Sequence, residues 1–168
     1  GGVYNHWFRV AAPSGQEANP GDARTVFVDK TAAAGGNGTP QAPFNNLKDA
    51  LNVDDSGIPV SPPDPSAVRP GDILRIVGNP GADGDIRTEL DNRAYELGFN
   101  DLGAVLSDGT RFQVPRDVTV MVDAGALFKM RRSWVGIGSV APGAVLDRSA
   151  GAFQVVGAPV FVDALGNT

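Results

Sequence analysis

The chain has 168 residues, no cysteine and a formal net charge of -5, which fits one domain and excludes disulfides, zinc ribbons and cysteine nucleophiles. Its acidic balance and the lack of any Lys/Arg-dense block argue against nucleic acid, which is bound through a basic stripe that displaces counterions. No apolar run approaches the ~20 residues that span a bilayer, so no membrane span is expected, and no signal peptide is visible.

With 22 Gly and 13 Pro, the composition favours short strands and many turns over helices. The Gly, Asn, Asp and Thr content, without cysteine, points to an extracellular or cell-surface protein. The chain begins Gly1-Gly2 without Met, as expected of a processed or trimmed chain or of a part of something longer.

Residues 3–10, with Tyr4, Trp7 and Phe8, read as an aromatic strand. Pro13, Gly15, Pro20 and Gly21 then separate it from the rest. The expected organisation is therefore an arm and linker over 1–22 and one β domain over 23–168. A lone strand exposing so much aromatic surface is an aggregation hazard, so Tyr4, Trp7 and Phe8 are expected to bind a partner, on a sheet edge of this chain or of another.

Thr25-Val26-Phe27-Val28-Asp29 is a β-branched and aromatic strand. A Gly/Asn/Pro loop follows, and Phe44, Leu47, Ala50 and Leu51 recur at helical spacing behind Asn45 and Asn46, either of which suits an N-cap. One short amphipathic helix is predicted over 44–52. Pro59, Pro62, Pro63 and Pro65 make 53–69 a loop without regular structure. Residues 73–77 read as a buried strand, whereas the pattern over 88–97 leaves strand and helical turn open. Strands of three to five residues are predicted over 111–114, 118–122, 126–130, 134–137, 153–156 and 160–162.

The later strands repeat. Val120-Met121-Val122-Asp123-Ala124-Gly125-Ala126-Leu127-Phe128 resembles the stretch from Phe153 to Phe161, displaced by 33 residues, a period that suggests a solenoid. Each copy is an apolar strand, a Gly/Ala corner and a second apolar strand. Small residues suit such corners because neighbouring coils stack backbone on backbone there.

A strand ending in Asp29, a Gly-rich loop with Thr39-x-x-x-Pro43-Phe44, a short helix, and Pro70-Gly71-Asp72 before an apolar strand together resemble the start of pectate-lyase-like right-handed parallel β-helix proteins. The second half is similar to large repeat-rich surface proteins of planctomycete-type bacteria, notably over 118–129. The resemblance implies a mostly β fold: a short right-handed parallel β-helix, or solenoid, of two to four coils, with one N-terminal capping α-helix and an extra N-terminal strand. An unfinished β-helix exposes sheet edges that the aromatic strand can cover, so the expected function is an extracellular structural or adhesive module self-assembling through the N-terminal strand and the open β-helix edge, with polysaccharide binding, or a lyase or hydrolase acting on polysaccharide, as the alternative. The expected partner is a second copy, neighbouring domains of a larger chain, or a polysaccharide.

Catalytic residues do not carry over, because no Asp/Asp/Arg set can be placed on a shared face, and no organic cofactor is implied. Asp83 and Asp85, in an Asp-Gly-Asp loop, offer hard oxygen ligands to calcium, but they lack the spacing and closing Glu of an EF-hand, and a structural turn is the weightier reading. His6, the only histidine, has no second His or acid pattern around it to build a triad or metal site. Arg131-Arg132 beside Trp134 reads as a solvated strand end.

Overall fold

The computed structural model describes residues 24–78, 93–138 and 150–156. Thr25–Val28 form β1, Leu47–Leu51 α1, Ile73–Ile76 β2, Tyr95–Gly98 β3 and Phe112–Val114 β4. Thr119–Asp123 form β5, Phe128–Arg131 β6, Val135–Ile137 β7 and Ala152–Val156 β8. Among the described residues the protein is mostly β, with a single short helix, and all five strand pairs are parallel.

These strands make three sheets, ordered β1-β2-β5-β8, β3-β6 and β4-β7. The chain visits them in a fixed sequence: β2, β3 and β4 lie in the first, second and third sheet, β5, β6 and β7 repeat that order, and β8 returns to the first. Parallel partners therefore come from successive passes of the chain, as they must when no hairpin joins them.

Period-two alternation sets which side chains enter the core. In the first sheet the register aligns Val26, Leu74, Val120 and Phe153, and next to them Val28, Ile76, Val122 and Val155. The second sheet stacks Tyr95 on Phe128, ring centroids 5.4 Å apart, and Leu97 beside Met130. The third aligns Phe112 with Val135 and Val114 with Ile137. Residues from all three sheets, together with Phe44, Leu47 and Ala50, make one hydrophobic core. Val120 pairs with Phe153, so the 33-residue displacement between the two similar stretches is the pairing register of β5 and β8.

Backbone crowding at the strand ends explains the small residues there. A Cβ on Gly98 would fall 1.7 Å from the Arg131 carbonyl oxygen, and one on Gly78 1.9 Å from that of Ala124. The turns entering the first sheet are also tied pass to pass. Ile73 N donates to Arg24 O at 2.9 Å, Thr119 N to Asp72 O at 3.2 Å and Ala152 N to Val118 O at 3.0 Å.

The helix is shorter than the 44–52 predicted. Phe44 instead bridges Val28 in parallel, because its backbone is used by β1. Of the two candidate caps Asn46 is the one in place: its side-chain oxygen accepts from Asp49 N at 2.8 Å. Asn52 closes the other end in the left-handed region, φ 55°. The open reading over 88–97 resolves to strand at Tyr95–Gly98. Expected strand 160–162 lies outside the described residues.

Candidate functional site

The two ends of the four-stranded sheet differ. At β1 the outer edge is occupied: Phe27 N donates to Gly38 O at 2.8 Å, Asp29 N to Phe44 O at 2.8 Å, and Phe44 N to Phe27 O at 3.0 Å. Gly38, φ 75°, is required at that crossing, since a Cβ would come within 2.8 Å of Val26 and 2.9 Å of Phe44. The α1 helix follows directly and buries Leu47 and Ala50. Over Phe27 to Asp29 the edge has its donors and acceptors used, so that stretch is not free to pair with another strand.

The last described strand of each sheet differs. Met130, Ile137 and Val155 align with Leu97, Val114 and Val122, all buried, so by register they belong to the inward side. They are nevertheless 44%, 45% and 70% exposed. Val135, aligned with buried Phe112, is exposed as well. Covering what remains open on these four side chains is worth on the order of 1 kcal/mol each. Among the described residues these four side chains form an exposed apolar set on the last strand of each sheet.

Charged groups inside the described fold are engaged structurally. Asp108, its side chain fully buried, accepts at Oδ1 from Leu47 N (2.9 Å) and at Oδ2 from Lys30 Nζ (2.5 Å), Glu96 N (2.7 Å) and Ser107 Oγ (3.1 Å). It pins the first turn of α1 to the start of the second sheet. Asp72, from the Pro-Gly-Asp stretch, accepts from Arg24 N and Nε at 3.0 Å each and from Arg69 N at 2.9 Å. Its role is to lock the turn ahead of β2. Arg75 and Asp123 pair at 2.9 Å across the outer face of the first sheet. The Tyr95 hydroxyl lies 2.9 Å from both the Val28 and Val77 carbonyl oxygens, donating to one at a time. Burial pushes this phenol well above its usual range, and the negative charge of Asp29 adds to the shift.

A cleft opens on the outer side of the third sheet, lined by Ser56, Phe99, Thr110, Arg111, Arg132 and Trp134. Arg111 and Trp134 directly precede the aligned pair Phe112 and Val135. The Arg111 guanidinium carbon stands 5.7 Å from the centre of the Trp134 ring and that of Arg132 5.4 Å from Phe99. The Arg131-Arg132 pair is thus split: Arg131 pairs with Asp101, while Arg132 turns into the cleft.

Of the residues singled out in the sequence, Tyr4, Trp7, Phe8, Asp83 and Asp85 lie outside the described residues. Among the described residues no group of three or more His, Asp or Glu is placed to hold a metal ion, and no helix is long and apolar enough to cross a membrane. Sequence reasoning missed Arg111 and Phe99 as cleft residues, and it missed Met130, Val135, Ile137 and Val155 as a surface. The chain matches no protein-family model, no curated protein and no solved structure.

Proposed function

We propose that the three parallel sheets are the faces of a short right-handed parallel β-helix, closed by α1 at one end, and that the protein is an extracellular structural or adhesive module that self-associates through the other end. The carrying observation is the uncovered inward ladder of Met130, Val135, Ile137 and Val155. The fixed order in which the chain visits the sheets supports the coil reading. With the β1 edge already occupied, pairing runs through the last pass, and the donor strand is the aromatic segment holding Tyr4, Trp7 and Phe8 of a second copy. Such a contact joins unlike surfaces, and repeated without closure it makes a filament.

Negative-stain electron microscopy of the full chain and of a chain lacking residues 1–10 tests this. Filaments or elongated oligomers in the first and single particles in the second are the expected result. Single particles in both, or assemblies that survive the deletion unchanged, refute strand donation. Polysaccharide binding is the second reading, and the Arg111 cleft is the observation in its favour.

A further inference from the structure

We infer that the cleft beside the third sheet is a binding site for a phosphate group, held by the guanidinium groups of Arg111 and Arg132 and the hydroxyls of Ser56 and Thr110. Its walls are two copies of one loop. Val53-Asp54-Asp55-Ser56-Gly57-Ile58-Pro59 and Phe99-Asn100-Asp101-Leu102-Gly103-Ala104-Val105 share an Asx-Asp-x-Gly pattern. Each is closed at its base by an antiparallel bridge, Val53 with Pro59 and Phe99 with Val105. In the first, Asp54 Oδ1 accepts from Ser56 N at 2.8 Å and Ile58 N at 2.9 Å; in the second, Asn100 Oδ1 accepts from Leu102 N and Ala104 N at 2.9 Å each. Gly57 and Gly103 hold the same place, with φ 76° and 85°. Thr110 N donates to Asp55 O at 3.1 Å and ties the first loop to the cleft floor. The second loop is extra length: residues 99–111 join β3 to β4, whereas 132–134 alone join β6 to β7. Length added to one pass of a repeated path is typical of a binding loop.

The two cations of the cleft are held by rings rather than by acids. Arg24, Arg69, Arg75 and Arg131 each pair with an aspartate, whereas among the described residues no carboxylate pairs with Arg111 or Arg132. Trp134 backs the Arg111 guanidinium, and Gly57 packs so close that a Cβ there would be 3.2 Å from Nε. Arg132, in the left-handed region at φ 50°, lies over Phe99 and donates to Asn100 O at 3.2 Å. The acids of the two loops are committed elsewhere: Asp55 to Lys48 at 2.5 Å, Asp101 to Arg131, and Asp54 to the backbone of its own loop. Guanidinium groups oriented in this way, with N–H groups left over, have little rotamer freedom to lose when an anion arrives.

The directions of the donors select the anion. Arg111 enters from the side of the first loop, where Gly57 packs on it, and Arg132 from the side of the second, through Phe99 and Asn100. Ser56 and Thr110 also line the cleft, and their hydroxyls make no hydrogen bond among the described residues, which leaves two neutral donors. A planar carboxylate is satisfied by a single guanidinium fork. A phosphate carries about -1.5 to -2 charge near pH 7 and three strong acceptor oxygens arranged in a tetrahedron, so it accepts from two forks and the hydroxyls at once. Trp134 is a support for Arg111 in this site and makes no contact with the ligand.

Isothermal titration calorimetry on the full chain tests the assignment, at neutral pH and about 0.15 M salt, where nonspecific attraction is screened. The probes are inorganic phosphate, glycerol phosphate and acetate. Both phosphate probes are expected to bind with Kd below about 1 mM, and acetate at least about tenfold more weakly. Sedimentation with phosphatidylcholine vesicles, with and without phosphatidic acid, separates the sources of the group. A chain that pellets only with phosphatidic acid takes a lipid headgroup, and one that stays in solution while binding glycerol phosphate takes a soluble ester. Arg111→Lys keeps the charge but loses the fork, and Arg132→Gln removes an exposed cation without disturbing the core. Each is expected to weaken phosphate binding about tenfold with an unchanged far-ultraviolet spectrum. The assignment is overturned if neither phosphate probe binds, if acetate binds as tightly, or if either folded variant binds like the parent.

Discussion

Asp108 and Tyr95 are the side chains on which most of the described fold converges. Asp108 joins Lys30 after β1, the first turn of α1 and the start of the second sheet in one buried carboxylate. Removing the charge while leaving Lys30 and two backbone donors in place breaks a buried pair, which costs about 3–5 kcal/mol. Asp108→Ala is therefore expected to lower unfolding free energy by that amount in a urea titration, and a loss below 1 kcal/mol would show the clamp to be ornamental. Tyr95 gives a pH signature. Its native phenol is held protonated, so the native state binds that proton more tightly than the unfolded chain does. The resulting stability is fully present below the ordinary phenol value of about 10 and is lost as pH rises above it. Tyr95→Phe is expected to lose the hydrogen bond to Val28 or Val77 at neutral pH and to flatten the alkaline decline seen in the parent's thermal midpoints. None of this was legible from the sequence: an Asp within Ser107-Asp108-Gly109 reads as a turn, and only the fold brings Lys30 to it across 78 positions.

At the scale of elements, local pattern was informative and boundaries less so. β1, β2, β4, β5, β6, β7 and β8 were readable because apolar and β-branched residues alternate between turn residues, and the pairing of Val120 with Phe153 was visible as sequence similarity. The first strand of the second sheet and the register of the third were harder. Tyr95–Gly98 was ambiguous because Leu97 and Gly98 turn the pattern off after one alternation, and β4 pairs with β7 at a 23-residue displacement rather than 33, so Arg111 and Trp134 carried no repeat signal. The helix began at Leu47 rather than Phe44 because the Phe44 backbone serves β1. Two substitutions probe these elements. Gly98→Ala forces a Cβ into the Arg131 carbonyl at a residue with φ 108°, and is expected to cost more than about 2 kcal/mol, where Gly→Ala at a site of ordinary φ stabilises by about 0.4–1 kcal/mol. Asn46→Ala removes the cap of α1 and is expected to cost about 1 kcal/mol; equal effects from the two would contradict the backbone stacking at Gly98.

At the scale of the whole molecule the decisive feature is the difference between β1 and the last described strand of each sheet. Among the described residues Gly38, Phe44 and α1 lie over β1, while Met130, Val135, Ile137 and Val155 on β6, β7 and β8 are exposed. The sequence could suggest a solenoid, since a helix, a Pro-Gly-Asp turn and a repeated strand pair all lie on its surface as words. Exposure at Met130 or Val155 was not readable, because both look like core residues and are uncovered only by their place in the stacking order. A second copy is expected to supply the cover. Light scattering across the micromolar range tests this most directly, using the parent chain beside Ile137→Lys and Val155→Lys. The parent's mass should rise with concentration above 17.4 kDa while both lysine variants stay at monomer mass, because a buried unpaired ammonium opposes association. A parent that remains monomeric throughout, or variants that associate as it does, would contradict the claim.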